Sequence, residues 1–385
     1  MHADIIAVGG GLIGLSTALH LALDGKRVIV LEKDFPGKHA SGVNAGGVRS
    51  LKRDLREVPM IQGALEMWNQ MPDIVGSDCG FFKIGFIVAA EDEADMQALE
   101  KRAETTRSLG YRHETMIDRK QLRELIPPIA RHCVGGIMSD HDGNASPAET
   151  CRAFHATCLD RGVTVINGCE VLDIDTTSRG FKVRTSTAGE IEAEQILNCA
   201  GAWAARVGEM LDDPLPVFPV GPSVMVTAPM PRLFGRHITA NQRKLWLNQV
   251  RNGSMFLMGG YLADTDLDTG TTHLRFRELQ KCARTALGLV DALENIPIVR
   301  AWAGLDGNTP DDIPIISGSK NVPGLMHACG FSKHGFGLSP MVGKVVAAMM
   351  QGKPPGIPMR DFDLDRKGLM PESRSPASPA GIKQQ

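Results

Sequence analysis

The first residues of the chain whose types and spacing could do chemistry are glycines in the pattern G-x-G-x-x-G. Gly9 allows a tight turn after a strand, Gly11 lets a pyrophosphate approach the backbone, and Gly14 lets the next helix pack closely on a sheet. The free amides at the start of such a helix bind phosphate. The pattern therefore predicts a dinucleotide site to which the backbone of Leu12 and Ile13 also contributes.

An acidic residue, Glu32, stands 18 positions after Gly14, at the end of a second apolar run at 27–31. A carboxylate in this place accepts hydrogen bonds from the hydroxyls of an adenosine ribose. Residues 12–24 have apolar side chains at helical spacing, so the two runs and the helix between them predict a β-α-β unit. That unit must position Glu32, and Lys33 after it, beside the glycine turn.

The β-α-β unit is followed by a segment of small residues, ASGVNAGGV at positions 40–48. The glycine pattern alone could bind NAD or FAD. Small side chains let the backbone lie against a second, bulky part of a ligand, which a flavin ring requires and NAD dehydrogenases seldom need. The segment therefore favours FAD, with contacts from Ser41, Asn44, Ala45, Gly46 and Gly47.

A second glycine-rich loop, at 330–337, lies more than 300 residues after the turn at Gly9 to Gly14. Apolar spacing predicts a final helix at 337–351, whose positive N-terminal end would face this loop. A reduced flavin carries negative charge near N1 and the C2 carbonyl, and such a helix end would stabilise that charge. The loop is thus the predicted far end of the FAD site, with contacts from Gly330, Phe331, Ser332, Lys333, His334, Gly335, Phe336 and Gly337.

Five motifs carry a resemblance to a known family. They are VGGGLIGLSTALHLA from position 8, ASGVNAGG, LNCAGAWA at 197–204, WAGLDGNTPDDIPIIS at 302–317 and ACGFSKHGFGLSPMVGK at 328–344. Over residues 4–352 the chain resembles the D-amino-acid oxidase-like FAD oxidoreductases, the glycine and sarcosine oxidase group. The resemblance implies an α/β fold, in which a FAD-binding Rossmann-like domain of glutathione-reductase type is interleaved with an α+β substrate domain built on a mixed or antiparallel sheet.

The resemblance also fixes expectations for the cofactor. The chain has no match to the cysteine that tethers flavin in monomeric sarcosine oxidases, which implies noncovalent FAD. Further FAD contacts are implied at Val171, Ala200, Gly201, Trp203 and Gly304.

The nucleotide-binding motifs lie at both ends of the chain and in its middle, which predicts a discontinuous FAD domain. We expect residues 1–80, 140–212 and 300–360 to form it, and residues 81–139 and 213–299 to form the substrate-binding domain. Within the latter, residues 245–259 have the pattern of a single strand. Residues 371–385 are rich in Ser, Pro and Gly, and we expect them to be disordered.

Asp306 marks a departure from the simplest members of the family. Glycine oxidase-like enzymes carry an arginine there that grips the substrate carboxylate, whereas this chain has AGLDG at 303–307. An acidic residue followed by glycine, together with GFSKHGFGLSP, is more similar to the flavin β-subunits of heteromeric opine oxidases, hydroxyproline dehydrogenases and hydrogen cyanide synthase. In such complexes this subunit oxidises the amine, and partner subunits carry the electrons onward.

The implied reaction is FAD-dependent oxidation of the C–N bond of an amino acid or secondary amine, of opine, D-amino-acid, hydroxyproline or sarcosine type. Hydride passes from the α-carbon to flavin N5, and water hydrolyses the resulting imine. Two alternatives stay open. One is a stand-alone, peroxide-forming amino-acid oxidase, and the other is a non-catalytic flavoprotein subunit with an assembly or electron-relay role.

Three cations are candidates for binding the substrate carboxylate. Arg300 precedes Trp302 at the edge of the predicted site, with a structural ion pair as the alternative role. Arg49 follows the small-residue segment. Lys333 lies inside the second glycine-rich loop, where it could bind substrate, stabilise reduced flavin, or face solvent.

Three further residues are candidates for the chemistry. His334 could take a proton from the amine, since histidine titrates near neutrality, although a structural hydrogen bond is as consistent with the sequence. Asp306 could hold a cationic amine or guanidinium group. Tyr261 ends a strand of the presumed substrate domain, where core packing with a bonded hydroxyl is the favoured role.

Composition excludes several classes of protein. Forty-two basic and 44 acidic side chains give a net charge of −2, which argues against a nucleic-acid partner. No apolar stretch is long enough for a membrane span, and no signal peptide is evident at the first residues. These two observations predict a cytoplasmic location. The eight cysteines are scattered without C-x-x-C, which predicts reduced thiols and no metal site.

Overall fold

Two large β-sheets, of eight and ten strands, form the framework of residues 1–369, the part of the chain that this computed structural model describes. The helices are α1 (Leu12–Leu23), α2 (Ala40–Val43), α3 (Val58–Asn69), α4 (Met71–Val75), α5 (Glu93–Ser108), α6 (Arg119–Leu125), α7 (Pro147–Asp160), α8 (Ala204–Glu209), α9 (Phe276–Leu287) and α10 (Gly335–Met350). The predicted mixed α/β class is confirmed.

The strands are distributed over the whole described chain. They are β1 (His2–Val8), β2 (Val28–Leu31), β3 (Gly47–Val48), β4 (Phe82–Lys83), β5 (Phe86–Ala90), β6 (Thr115–Asp118), β7 (Gly135–Ser139), β8 (Gly143–Asn144), β9 (Thr164–Ile166), β10 (Val171–Thr177), β11 (Gly180–Thr185), β12 (Glu190–Asn198), β13 (Phe218–Thr227), β14 (His237–Ala240), β15 (Leu245–Gln249), β16 (Met255–Asp266), β17 (Thr271–His273), β18 (Ile298–Ala303), β19 (Asp306–Asn308), β20 (Ile315–Gly318) and β21 (Leu325–Cys329).

The eight-stranded sheet has the order β10-β11-β12-β1-β2-β9, with β21 beside β12 and β20 beside β21. Four of its strand pairs are parallel, namely β1 with β2, β1 with β12, β2 with β9 and β12 with β21. Ile5, Ile6 and Ala7 are all buried, as expected of a parallel strand covered on both faces. The carboxyl ends of β1, β2, β12 and β21 therefore meet at one edge, where open α/β sheets bind their ligands.

The ten-stranded sheet has the order β18-β13-β16-β15-β14-β5-β7-β6, with β17 paired to β16 and β19 paired to β13. Its pairings are antiparallel except for β14 with β5. A separate apolar core, with Ile87, Ile238, Leu247 and Leu257 at its centre, packs against it. The strands of this sheet lie between residues 86 and 308, interrupted by the stretch that builds β8 to β12.

Helices α1 and α10 pack directly against each other although they lie more than 300 residues apart in sequence. The contact depends on Gly343, where an added Cβ would lie 2.1 Å from Ser16 Oγ and 2.6 Å from the Ser16 carbonyl carbon. Ser16 Oγ donates a hydrogen bond to the Pro340 carbonyl at 3.4 Å. Because both helices begin at the same edge of the sheet, the glycine turn before α1 lies close to the loop before α10.

The prediction of a single strand at 245–259 is wrong. The chain forms β15, reverses at Gly253 with φ +90°, and returns as β16 with Gly259 opposite Leu245. Both arms of a hairpin alternate in the same way, so the periodicity did not reveal the reversal. The last helix also begins at Gly335, two residues before the predicted start.

Within residues 1–369, none of the helices combines the length and the hydropathy that crossing a membrane requires. The stretch 371–385, which was predicted to be disordered, lies outside the described residues.

We expect Gly343→Ala to lower the stability of the protein by about 1–3 kcal/mol, because the new methyl group would push α10 away from the Ser16 backbone. The midpoint of thermal unfolding measures the effect. Gly63→Ala on α3 is the matched control. Its added Cβ would contact mainly the flexible Met341 side chain at 3.0 Å, so the midpoint should hardly change. Equal losses in both variants would contradict the role given to Gly343.

Candidate active site

The glycine turn after β1 is shaped by the strand beside it. Gly9 has a φ of +119°, and a Cβ there would lie 2.6 Å from the Cys199 carbonyl oxygen. Gly11 is the N-cap of α1 without any side-chain cap, and the Leu12 amide donates to Ser41 Oγ at 3.0 Å. The other amides of the first turn have no partner within the helix. The turn thus offers donors to an anion at the sheet edge.

Glu32 lies beside this turn and is 8% exposed. Its Oε2 accepts a hydrogen bond from the Gly10 amide at 2.7 Å, and its Oε1 accepts one from the Asp34 amide at 2.9 Å. Burial raises the pKa of the Glu32 carboxyl, and these backbone donors oppose that rise. Next to it, Lys33 Nζ stands 3.5 Å from the ring centroid of Trp203.

A cavity of about 560 Å³ runs from this turn to the loop before α10. Most of the residues predicted to contact the cofactor contribute to its wall: Gly9, Gly11, Ile13, Glu32, Lys33, Ser41, Asn44, Ala45, Gly47, Val171, Ala200, Gly201, Trp203, Gly304, Gly330, Phe331, Lys333, His334, Gly335 and Phe336. The wall therefore joins segments from both ends of the chain with segments from its middle.

Five residues predicted to contact the cofactor stand just behind the wall: Leu12, Gly14, Gly46, Ser332 and Gly337. Two of them are sites of close backbone approach. A Cβ on Gly14 would lie 2.1 Å from the Gly9 carbonyl oxygen, and one on Gly46 would lie 2.0 Å from that of Ala145. These glycines shape the cavity without lining it.

The loop before α10 is held in an unusual backbone conformation. Ser332 and Lys333 have φ values of +50° and +72°, which non-glycine residues adopt only when their surroundings compensate the cost. The compensation comes from β19 and its flanks. The Lys333 amide donates to the Asp306 carboxylate, the Ser332 amide donates to the Gly307 carbonyl at 3.0 Å, and the Thr309 amide donates to Ser332 Oγ at 3.2 Å.

Asp306 therefore holds the loop before α10 through its carboxylate, and the same side chain lines the cavity. Burial raises the pKa of Asp306 to about 6, although the Lys333 amide and the Lys333 charge oppose that rise. Of the predicted catalytic residues, Asp306, Lys333, His334 and Arg49 all contribute to the wall of this one cavity.

Arg49 brings a guanidinium group into the cavity and stands 4.8 Å over the ring of Trp246. Burial, together with the nearby charge of Arg53, lowers the pKa of Arg49 to about 9. The backbone of the two residues after Arg49 is held by Asp142. The Asp142 carboxylate accepts hydrogen bonds from the Ser50 amide at 2.7 Å and from the Leu51 amide at 2.9 Å. Asp142 thus holds the segment that presents Arg49.

Arg300 and Tyr261 stand outside the cavity wall. Arg300 is exposed on the edge strand β18, with its guanidinium 5.4 Å from the ring of Trp302. The Tyr261 hydroxyl donates to Thr285 Oγ1 at 2.6 Å, and its ring packs on the core beside α9. The structure therefore does not bring these two residues to the other four candidates.

Several cavity residues were missed by the sequence analysis. Phe86 and His237 stack with ring centroids 4.0 Å apart, and Trp246 and Met258 continue that wall. Burial lowers the pKa of His237 to about 3, so this ring is neutral at physiological pH. These side chains come from four strands of the second sheet, and no local motif marks them. The only available signal was the alternation of each strand.

The arrangement fits FAD. One end of the cavity is lined by the glycine turn, the buried Glu32 and Trp203, and it is suited to bind an adenosine diphosphate group. The cavity then continues past residues without room for added side chains. A Cβ on Gly11 would lie 3.0 Å from Ser41 Oγ, and one on Gly304 would lie 2.8 Å from Val43 Cγ2. It ends at the N-terminus of α10, whose free amides favour negative charge. These features define a dinucleotide-binding flavoprotein.

The chain belongs to the DAO family, described as FAD dependent oxidoreductase, which it matches over residues 4–349. It is 28% identical to a glycine oxidase of Geobacillus kaustophilus over 372 residues, covering 94% of this chain and 97% of that protein. It is 27% identical to the hydrogen cyanide synthase subunit HcnC of Pseudomonas aeruginosa over 387 residues, covering 88% and 90%.

Solved structures share the fold. The crystal structure of an L-proline dehydrogenase from P. horikoshii superposes with a TM-score of 0.87 at 24% identity, over 94% of this chain and 96% of that one. That of the glycine oxidase from Geobacillus kaustophilus gives 0.82 at 24% identity, over 95% and 99%. The family match makes the protein a FAD-dependent oxidoreductase.

We expect Asp306→Asn to stabilise the protein at neutral pH but not at pH 4. The folded-state pKa of Asp306, about 6, lies above its ordinary value of 3.8, so ionisation costs folding free energy as the pH rises from about 4 through 6. The thermal midpoint of the variant relative to the wild type should therefore rise over this range and level off above pH 7.

Asp311→Asn is the control from the same segment. Burial tends to raise the pKa of Asp311, but Arg366 and Arg56 outweigh it and lower that pKa, so this variant should be less stable than the wild type at pH 7. An Asp306→Asn protein that also loses stability at pH 7 would contradict the cost assigned to the Asp306 charge.

Proposed function

We propose that this protein oxidises the C–N bond of an amino acid or secondary amine, as the catalytic flavin subunit of a heteromeric dehydrogenase. The observation that carries the proposal is the Arg49 guanidinium inside the FAD-sized cavity. Within the described residues its hydrogen bond goes to the Leu51 carbonyl, and no carboxylate pairs with it. A cation kept in a cavity without a protein anion is suited to a substrate carboxylate.

The substrate end of the cavity would hold an amino acid as follows. Arg49 binds the carboxylate, and the rings of Phe86, His237 and Trp246 exclude water from the α-carbon. The neutral His237 adds no charge that would compete with Arg49. FAD, when bound, supplies the acceptor for the hydride of the α-carbon. The protein must also remove a proton from the substrate ammonium, for which we propose His334 or Lys333, both in the cavity wall.

The noncovalent mode of FAD binding is part of this proposal, as is the assignment of domains. We assign residues 81–139 and 213–299 to the substrate domain because they supply most strands of the ten-stranded sheet. We also expect a cytoplasmic location. All eight cysteines are buried free thiols, as is usual for proteins of a reducing compartment.

The subunit role rests on the departure at Asp306 and on the relative HcnC, which is named as a subunit of hydrogen cyanide synthase. A stand-alone, peroxide-forming oxidase is the second candidate. It is favoured by the glycine oxidase relative, 97% of which is covered by the alignment with this chain. A non-catalytic assembly or electron-relay subunit is the third candidate.

An anaerobic spectral titration of the purified flavoprotein with glycine, sarcosine, proline, hydroxyproline, D-amino acids and opines tests the proposal. We expect one of these amines to bleach the flavin within seconds, because the proposed carboxylate anchor, Arg49, lines the same cavity as the loop before α10. Rapid bleaching with very slow reoxidation by oxygen supports the dehydrogenase subunit, and fast reoxidation with peroxide supports the stand-alone oxidase. Bleaching by a 2-hydroxy acid alone would overturn the C–N assignment, and no bleaching would favour the third candidate.

We expect Arg49→Met to raise the substrate concentration for half-maximal bleaching on the order of 100-fold, since a charge-assisted pair with a carboxylate is lost. The flavin spectrum should be retained. Arg300→Met is the informative comparison, because Arg300 also stands over a tryptophan ring but lies outside the cavity. If Arg300→Met raised the substrate concentration for half-maximal bleaching and Arg49→Met did not, Arg300 would be the carboxylate anchor and the role proposed for Arg49 would be wrong.

A further inference from the structure

A buried carboxylate, Glu57, stands behind the loop before α10. It is fully buried, just before α3, and its two oxygens lie 2.9 and 3.2 Å from Nδ1 of His334. Arg53 is 3% exposed, and its Nη1 is 3.5 Å from the same carboxylate. The three side chains form a buried row that ends at the cavity, because the ring of His334 is part of the wall.

The geometry determines which ring nitrogen of His334 can carry the proton. Glu57 Oε1, 3.2 Å from Nδ1, is an ionised carboxylate oxygen that can only accept a hydrogen bond, so Nδ1 must be the protonated nitrogen of the neutral ring. Nε2 is then left with a lone pair. No described residue donates to or accepts from Nε2, and the His334 side chain remains 23% exposed on the cavity side.

We propose that Glu57 is a positioning residue, which holds His334 in the tautomer protonated on Nδ1 so that Nε2 accepts the proton of the substrate ammonium. The inference rests on the proposed amine oxidation. Nε2 takes one proton, which leaves the amine neutral and the ring an imidazolium that keeps its Nδ1 proton toward Glu57. FAD, when bound, would accept the hydride of the α-carbon of the neutral amine, and the imidazolium of His334 releases its proton to water afterwards.

The charges around His334 decide how it titrates. Burial lowers its pKa below the ordinary 6.5, and Arg53 and Arg49 lower it further, whereas Glu57 raises it. Burial would raise the pKa of Glu57, but Arg53 and His334 outweigh that effect, so Glu57 is ionised. Lys333 and Asp306 line the same cavity beside the ring. His334 is consequently neutral and able to act as a base at neutral pH, and it loses this capacity as the pH falls through its lowered pKa.

The first test is the pH profile of anaerobic flavin reduction in Glu57→Gln holoenzyme. Removing the negative charge should lower the pKa of His334 and so move the acid limb of the rate to lower pH by about one unit. The plateau rate should also fall, because the glutamine can donate a hydrogen bond to Nδ1 and so favour the tautomer in which Nε2 already carries the proton. Glu66→Gln, an exposed change on the same helix α3, should leave the limb in place. A reduced rate with an unmoved limb would mean that Glu57 is only structural, which overturns the proposal.

The second test needs neither turnover nor a stable Glu57 variant. Nitrogen-15 NMR of the histidine-labelled wild-type holoenzyme, with His334 assigned by comparison with His334→Gln, reports the tautomer directly. We expect the Nδ1-protonated form above pH 7, and the Nε2-protonated form would overturn the proposal. If no amine reduces the flavin while the expected tautomer is found, then the proposed function fails, and the Glu57 contact stands without a catalytic purpose.

Discussion

The close approach of α1 and α10 is the constraint on which the rest of the structure depends. Each helix follows a glycine-containing turn at the edge of the parallel sheet, and each can bring that turn to the cavity only if the two helices touch. Contact is possible because Gly343 presents no side chain to Ser16. Once it forms, the turn at Gly9 and the loop at Gly330 share one wall, so a single packing contact joins two segments distant in sequence.

A second consequence of this packing is electrostatic. The cavity collects Arg49 and Asp306 in its wall, with Glu57 behind it, and burial shifts the protonation of the first two towards their neutral forms. Such charges cost folding free energy unless partners compensate them. Backbone amides at Asp306 and an arginine–histidine pair at Glu57 provide compensation. Arg49 lacks an ionic partner in the described chain, which is why it is available to a ligand.

The sequence predicted the parts of the site that depend on local backbone geometry. A glycine turn after an apolar strand, an acid at the end of the next strand and a glycine loop before a helix each have one dominant physical interpretation. Glu57 could not be found in this way, because its significance comes from His334, 277 residues away. His237 and Trp246 were missed for the same reason: strand pairing, and not spacing, brings them to the cavity. Arg300 shows the converse, since proximity to Trp302 in sequence did not place it in the wall.

The position of Asp306 links these observations to the orientation of substrate. The Asp306 carboxylate accepts a hydrogen bond from the Lys333 amide and supports a loop with positive φ values. The ionised form of Asp306 would repel a substrate carboxylate, which is consistent with the proposed anchor lying in another part of the wall. Arg49 is presented from the segment before α3, next to the aromatic rings of the second sheet. A substrate held by Arg49 would direct its amine towards the loop before α10. The buried row of Arg53, Glu57 and His334 ends at that loop.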